Sequence, residues 1–191
     1  MSNDLSPKIS AGLERALDQA LGSATAAGTW RLDPQKSTVE IHARTIWGLV
    51  PVHGSFSGVE GGGEVESDGT VVGTLTIRAD SLDTGNAKRD THLRGKDFFD
   101  VENHPALIVG ISGVDRIGNA RLRVTGELQV RGAKGPIAFD TEVIALGDSS
   151  VRLRGDLVVD RTAFGLTWNQ LGMITRRVTA RVVLDFVREG A

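Results

Sequence analysis

The chain has 191 residues, with 22 lysines and arginines against 24 acidic residues and a net charge of -2, so it lacks the basic excess that binding to nucleic acid or an anionic membrane surface calls for. At 40% hydrophobic and 24% charged residues it has the composition of one ordinary globular domain with a substantial core. It contains no cysteine, which excludes disulfides, thiolate chemistry and cysteine-ligated zinc, and no run approaches the ~20 apolar residues needed to cross a bilayer as a helix.

Residues 1–28 read as an N-terminal amphipathic helix and linker. Ser6 is a natural cap, Pro7 suits the first helical position, and Gly22 is a natural stop. Between them Ile9, Leu13, Leu17 and Leu21 recur at helical spacing opposite a face of Lys8, Glu14, Arg15, Asp18 and Gln19. Such a helix covers part of the domain, or serves as a lid or a homodimer contact. The same charges interrupt every apolar run, so no export signal is expected and a cytoplasmic location is predicted.

From Trp30 the periodicity becomes that of strands. Val39, Ile41 and Ala43 alternate with Glu40, His42 and Arg44, giving one dry and one wet face. Ile46 and Trp47 break the alternation at an expected rim. Phe56 follows among many glycines, and Gly61, Gly62 and Gly63 suggest a bulge or strong bend. Asp68-Gly69 is a hairpin signal leading into a strand with Val71, Leu75, Ile77 and Ala79 on one face. Residues 81–109 then interrupt the sheet pattern with charges, two adjacent phenylalanines and a proline. With Asn86 and Asp90 as cap or first-turn acid, a helix of about two turns is predicted over residues 89–96, closed where Phe98 and Phe99 turn inward.

Hairpins follow in quick succession. Leu107, Val109 and Ile111 begin one face; after Gly118-Asn119, Leu122, Val124, Leu128 and Val130 share the next. Residues 133–136 are expected to turn into a strand aligning Ile137, Phe139 and Val143. Residues 147–150 turn into one aligning Val151, Leu153, Leu157 and Val159. The last strand places Val178, Ala180, Val182, Leu184 and Phe186 together. Before it, residues 161–177 hold Phe164, Leu166, Trp168, Leu171, Met173 and Ile174, too much apolar surface for a solvated loop. About eight antiparallel strands in sequence order suit an all-β domain with short helices over residues 29–191. Closure into a barrel removes the exposed edges, and a two-sheet sandwich is the alternative that alternation leaves open.

Chemistry is sparsely signalled. His42, His53, His92 and His104 match no helical metal signature, and a site of His92 and His104 with Asp90 or Asp97 lacks the usual spacing, so no metal and no cofactor is expected. There is no GxSxG elbow, and the glycines at 58–63 lack the Lys-Ser/Thr ending of a phosphate loop. Arg89, Asp90, Asp97, Asp160 and Arg161 read as paired groups that pin the short helix and the C-terminal connection, with a head-group role open to Arg89 and Arg161.

The order Ser81, Leu82, Asp83, Thr84, Asn86, Arg89-Asp90, His92-Leu93, Asp97-Phe98-Phe99-Asp100 and Pro105 resembles the signature stretch of the YceI-like family. Trp30, Leu32-Asp33, Ser37, Gly54, Phe56, Gly126-Glu127-Leu128, Arg131-Gly132, Asp160-Arg161 and Phe164-Gly165 fall in the family's order, so the resemblance spans residues 30–189. It implies an eight-stranded antiparallel lipocalin-like barrel, here with the added N-terminal helix, whose interior holds a long isoprenoid such as a polyprenyl or quinone tail. Family members often carry an export signal, and this sequence departs from that habit. The expected function is therefore lipid binding for sequestration or transport, with no catalytic residue. Val39, Ile41, Phe56, Phe98, Phe99, Val109, Ile111, Leu128, Phe139, Phe164, Leu166 and Trp168 are the expected apolar contacts. Two rivals remain: an enzyme acting on a hydrophobic small molecule through His92, Asp90 or Asp97, and a stress-related interaction module with a filled barrel.

Overall fold

The computed structural model describes residues 27–45, 49–147, 149–169 and 174–190. The expected helix over residues 6–22, the break at Ile46 and Trp47, and Leu171 and Met173 lie outside the described residues.

The strand segments are β1 (Gly28–Leu32), β2 (Thr38–Thr45), β3 (Val50–Phe56), β4 (Val59–Val65), β5 (Val71–Arg78), β6 (Leu82–Asp83), β7 (Ala106–Gly118), β8 (Arg121–Val130), β9 (Ala133–Gly147), β10 (Ser150–Asp160) and β11 (Arg177–Arg188). The first six lie end to end in pairs. β1 and β2 run along β11, which sets Arg188 opposite Trp30 and Val182 opposite Val39. β3 and β4 flank them, with Phe56 opposite Val39 and Gly63 opposite Trp30. β5 and β6 come next, with Ile77 opposite Val59 and Leu82 opposite Phe56. These three composite strands and β7–β11 form a closed eight-stranded antiparallel β-barrel, sealed where β11 meets β1.

Alternation dictates which side chains face in. Val39, Ile41 and Ala43 point inward as their spacing predicts, as do Leu75 and Ile77 on β5, Leu122 to Val130 on β8 and Val178 to Phe186 on β11. On β7 the phase changes: Leu107, Val109 and Ile111 face in, then a register shift between Ile111 and Gly113 brings in Val114. Between β10 and β11, Arg152 grips the buried Asp185 through two bonds of 2.6 and 2.8 Å. That grip raises the guanidinium's pKa and staples the two strands.

Three local expectations are corrected. Gly61, Gly62 and Gly63 form no bulge; all three pair in unbroken register with β5, and Gly62 and Gly63 with β1 as well. Their bare backbone is there for close approach, since a Cβ on Gly62 would lie against the Trp30 carbonyl oxygen. The β8–β9 turn is not at residues 133–136 but at Arg131-Gly132, both with positive φ (52° and 77°), as a tight hairpin requires. Pro136 then sits inside β9, tolerated because β10 pairs with β9 only from Thr141 onward and leaves this stretch one open flank. The short helix, α1, spans Ala87–Arg94, two residues earlier than expected, because the Asn86 side chain accepts from the Arg89 amide at 3.0 Å and starts it there.

The same close-approach logic gives a paired prediction. An added Cβ at Gly126 would collide with the Gly110 carbonyl oxygen, whereas one at Gly110 meets no atom within 4 Å. Gly126→Ala is expected to cost about 2 kcal/mol in urea unfolding and Gly110→Ala less than about 0.5. Equal effects would refute the steric account.

The up-and-down order sorts the connections. Residues 66–70 and 119–120 close one end with short hairpins; residues 84–105, 131–132, 161–169 and 174–176 lie at the other. Both long connections thus meet over a single barrel end, which is where a site would be capped.

Candidate functional site

The barrel is hollow. A cavity of about 810 Å3 runs through it, walled by inward side chains of every composite strand. The buried apolar residues fall into two separate clusters, a large one including Phe56, Phe98, Phe99 and Phe164, and a small one of Leu122 and Val143 near the hairpin end. Leu153, half-buried, packs against both. The volume lies within the ~300–1,000 Å3 common for small-molecule sites.

All twelve expected apolar contacts reach this cavity: Val39, Ile41, Phe56, Val109, Ile111, Leu128 and Phe139 from the strands, Phe98, Phe99, Phe164, Leu166 and Trp168 from the cap. Leu157, Ala180, Val182 and Phe186 line it as well. Their alternation had placed them on inward faces, and only the wall as a whole shows that they share one cavity.

The cap is built in two halves. In the first, α1 is tied down by Thr84. Asp90, buried, accepts from the Thr84 amide (3.0 Å) and hydroxyl (2.5 Å), while Arg89 donates to the Thr84 hydroxyl oxygen (2.7 Å) and carbonyl (2.8 Å). The chain then turns through residues 95–104. Asp100, at φ 51°, takes the amides of Asn103 and His104 on its carbonyl, and its carboxylate holds the Asn103 side chain. This turn drives Phe98 and Phe99 inward, each 8% exposed, with Phe99 edge-on to Phe56 at 6.1 Å.

In the second half, Asp160 starts a short turn over Arg161–Phe164 by accepting from the Thr162 amide and hydroxyl. Those bonds, and then Arg176, hold its carboxyl below the usual carboxylate range. Arg161 is 3% exposed and donates to the carbonyls of Leu166, Trp168, Ile174 and Thr175. Burial lowers its pKa, yet a guanidinium keeps its proton. It is a pin for residues 165–169 and 174–175, as the sequence suggested. The halves meet where the His92 ring packs against Trp168 at 4.4 Å and Phe98 at 6.2 Å.

The remaining candidates are dispersed. Asp97 is exposed and makes no hydrogen bond or ion pair among the described residues, so it plays no part in the pinning expected of it. His104 lies beside Gly132 rather than with His92, and no three metal-capable side chains converge among the described residues. His42 is outside the barrel, with its Nδ1 2.7 Å from that of His53 and its Nε2 3.3 Å from Glu40. No helix of the described residues is long and apolar enough to cross a membrane.

Known proteins share this architecture. BcnA of Burkholderia cenocepacia superposes with a TM-score of 0.73 at 22% identity, over 81% of this chain and 98% of that one. A polyisoprenoid binding domain from Saccharophagus degradans, implicated in plant cell wall breakdown, gives 0.69 at 17% identity, over 83% and 98%. In sequence, a UPF0312 protein of Pectobacterium carotovorum subsp. carotovorum is 30% identical over 177 residues, 88% of this chain and 90% of that protein. Protein YceI of Escherichia coli O157:H7 is 34% identical over a shorter 74 residues, 39% of this chain and 38% of its own length. The YceI-like domain model matches residues 30–186, from the first barrel strand to the last, and with the barrel, its cavity and these relatives it places the chain in the YceI-like family.

Proposed function

We propose that this protein binds a long-chain isoprenoid, with a polyprenyl or quinone-type tail, inside its barrel, sequesters or transports it, and performs no chemistry on it. The observation that carries the reading is the hollow, apolar interior of about 810 Å3. A protein that merely completed its own core would have no reason to leave this space, so the filled-barrel rival fares worse. The fold shared with a domain described as polyisoprenoid binding supports the choice of ligand class. So does the physics: each buried methylene contributes about 0.8 kcal/mol, hence a prenyl unit on the order of 3 kcal/mol before ordering costs, and a few units bind tightly without any head-group contact. The contacts we assign are the twelve apolar residues named above, with Arg89 at the head-group end. For the enzyme reading, Asp90 is occupied by Thr84 and Asp97 faces solvent.

The test is uptake. The full chain, extracted with organic solvent and refolded with geranylgeraniol, is expected to carry about one equivalent through gel filtration. Ala180→Trp, which puts an indole into the cavity, is expected to carry less than a tenth as much. Wild-type protein emerging empty would overturn the reading.

A further inference from the structure

On the outer wall of the barrel, β2 and β3 set His42 directly opposite His53. The two rings meet edge-on, 4.7 Å between centroids, and bring their Nδ1 atoms to 2.7 Å. His53 is exposed, and among the described residues its ring has no other hydrogen-bond partner. Ile41, Ala43, Val52 and Gly54, which alternate with the histidines along the two strands, line the cavity on the inner side. Eleven positions separate the histidines in the chain, so the pair matches no short metal motif and exists only through the β2–β3 register.

Glu40 decides which nitrogen of His42 is available. Its carboxylate only accepts and lies 3.3 Å from His42 Nε2, so in the neutral ring Nε2 carries the proton and Nδ1 the lone pair. A carboxylate holding the far nitrogen is the arrangement that orients a metal-ligating histidine. Arg181, opposite Glu40 on β11, is engaged by Asp156 at 3.1 and 3.3 Å, and Arg44 follows two residues on, across from Pro51. His53 Nδ1 donates to the His42 lone pair; moving that one proton to the other nitrogen of the exposed His53 ring leaves two lone pairs able to converge on one ion. The spacing selects the ion. Two nitrogens each about 2.0 Å from a metal stand about 2.8 Å apart at a right angle and about 3.3 Å apart at the tetrahedral angle. The observed 2.7 Å is that of neighbouring ligands in a tetragonal site, the geometry of Cu(II). We propose that His42 and His53 form a surface site for one Cu(II), with Glu40 as the positioning carboxylate and water in the remaining coordination positions. The site lies outside the cavity and does not depend on the carrier reading.

The experiment titrates the untagged full chain with Cu(II) and with Zn(II), reading affinity by calorimetry and the copper's ligands by electron paramagnetic resonance. Wild type is expected to take one Cu(II), with a tetragonal spectrum split by two imidazole nitrogens, and to bind it at least about tenfold tighter than Zn(II), as the order of divalent affinities requires. His53→Gln and His42→Gln are each expected to weaken binding at least about tenfold and to leave a single nitrogen in the spectrum. Glu40→Gln is expected to weaken binding about tenfold while both nitrogens stay, the mark of a positioning residue rather than a ligand. His104→Gln, remote from the pair, is expected to change neither readout. Wild type that takes up no stoichiometric Cu(II), that shows only one nitrogen, or whose affinity stays within about twofold in His53→Gln would overturn the site.

Discussion

Arg161→Met is expected to lower the stability of the protein by about 4 kcal/mol and to release residues 165–169 and 174–175 from the barrel end. Methionine keeps much of the arginine's apolar stem but offers no donor, so the carbonyls of Leu166, Trp168 and Thr175 lose the buried guanidinium together, while that of Ile174 keeps only the Asn169 amide. A hydrogen bond from a charged donor contributes roughly 1.5–3 kcal/mol, and the four do not add because the freed segment can reach water. Arg161→Lys is expected to recover little, since one ammonium cannot span acceptors distributed over a loop. Urea unfolding measures the loss, and limited proteolysis within residues 165–175 measures the release. A loss under about 1 kcal/mol with the segment still protected would show that apolar packing of Phe164, Leu166 and Trp168 holds it unaided.

Phe99→Asp is expected to abolish retention of a bound lipid and to cost about 4 kcal/mol or more. The ring is 8% exposed, stacked edge-on against Phe56 at 6.1 Å and Phe98 at 5.8 Å, at the junction of cap and cavity. Removing it forfeits the roughly 3–5 kcal/mol typical of a buried phenylalanine, and a carboxylate in its place meets an apolar wall with no cation assigned to it. Phe99→Ala separates the two effects. It opens the seal without adding charge, so its folded fraction should lose lipid faster than wild type in a dilution assay but still bind it. Undiminished retention by a folded Phe99→Asp protein would remove Phe99 from the seal.

Much of this was legible in the sequence because a strand's period is two. The faces of β2, β5, β8 and β11 could be assigned from alternation alone, and once one face is apolar the register has little freedom. The cap residues announced themselves differently: Phe98-Phe99 and the 164–168 run were apolar where a connection should be polar. What the sequence withheld is contact across distance. Nothing local distinguishes Arg161, which serves four carbonyls, from an arginine paired with its neighbour Asp160, and nothing local brings His92 to Trp168. The bulge after Ile111 was equally hidden, since Ser112-Gly113 reads as an ordinary polar step. Of the bulge or strong bend expected at the glycine run 61–63, the bulge is absent, because permissive backbone also serves close approach.

The hollow barrel as a container is tested most directly by what the protein already holds. Protein purified natively from cells, without detergent, can be extracted with organic solvent and the extract analysed by mass spectrometry. A long-chain lipid recovered repeatedly at close to one equivalent from wild type, and greatly reduced in Ala180→Trp, is the predicted result. An extract free of any long-chain species, from protein that also refuses such chains on refolding, would contradict it.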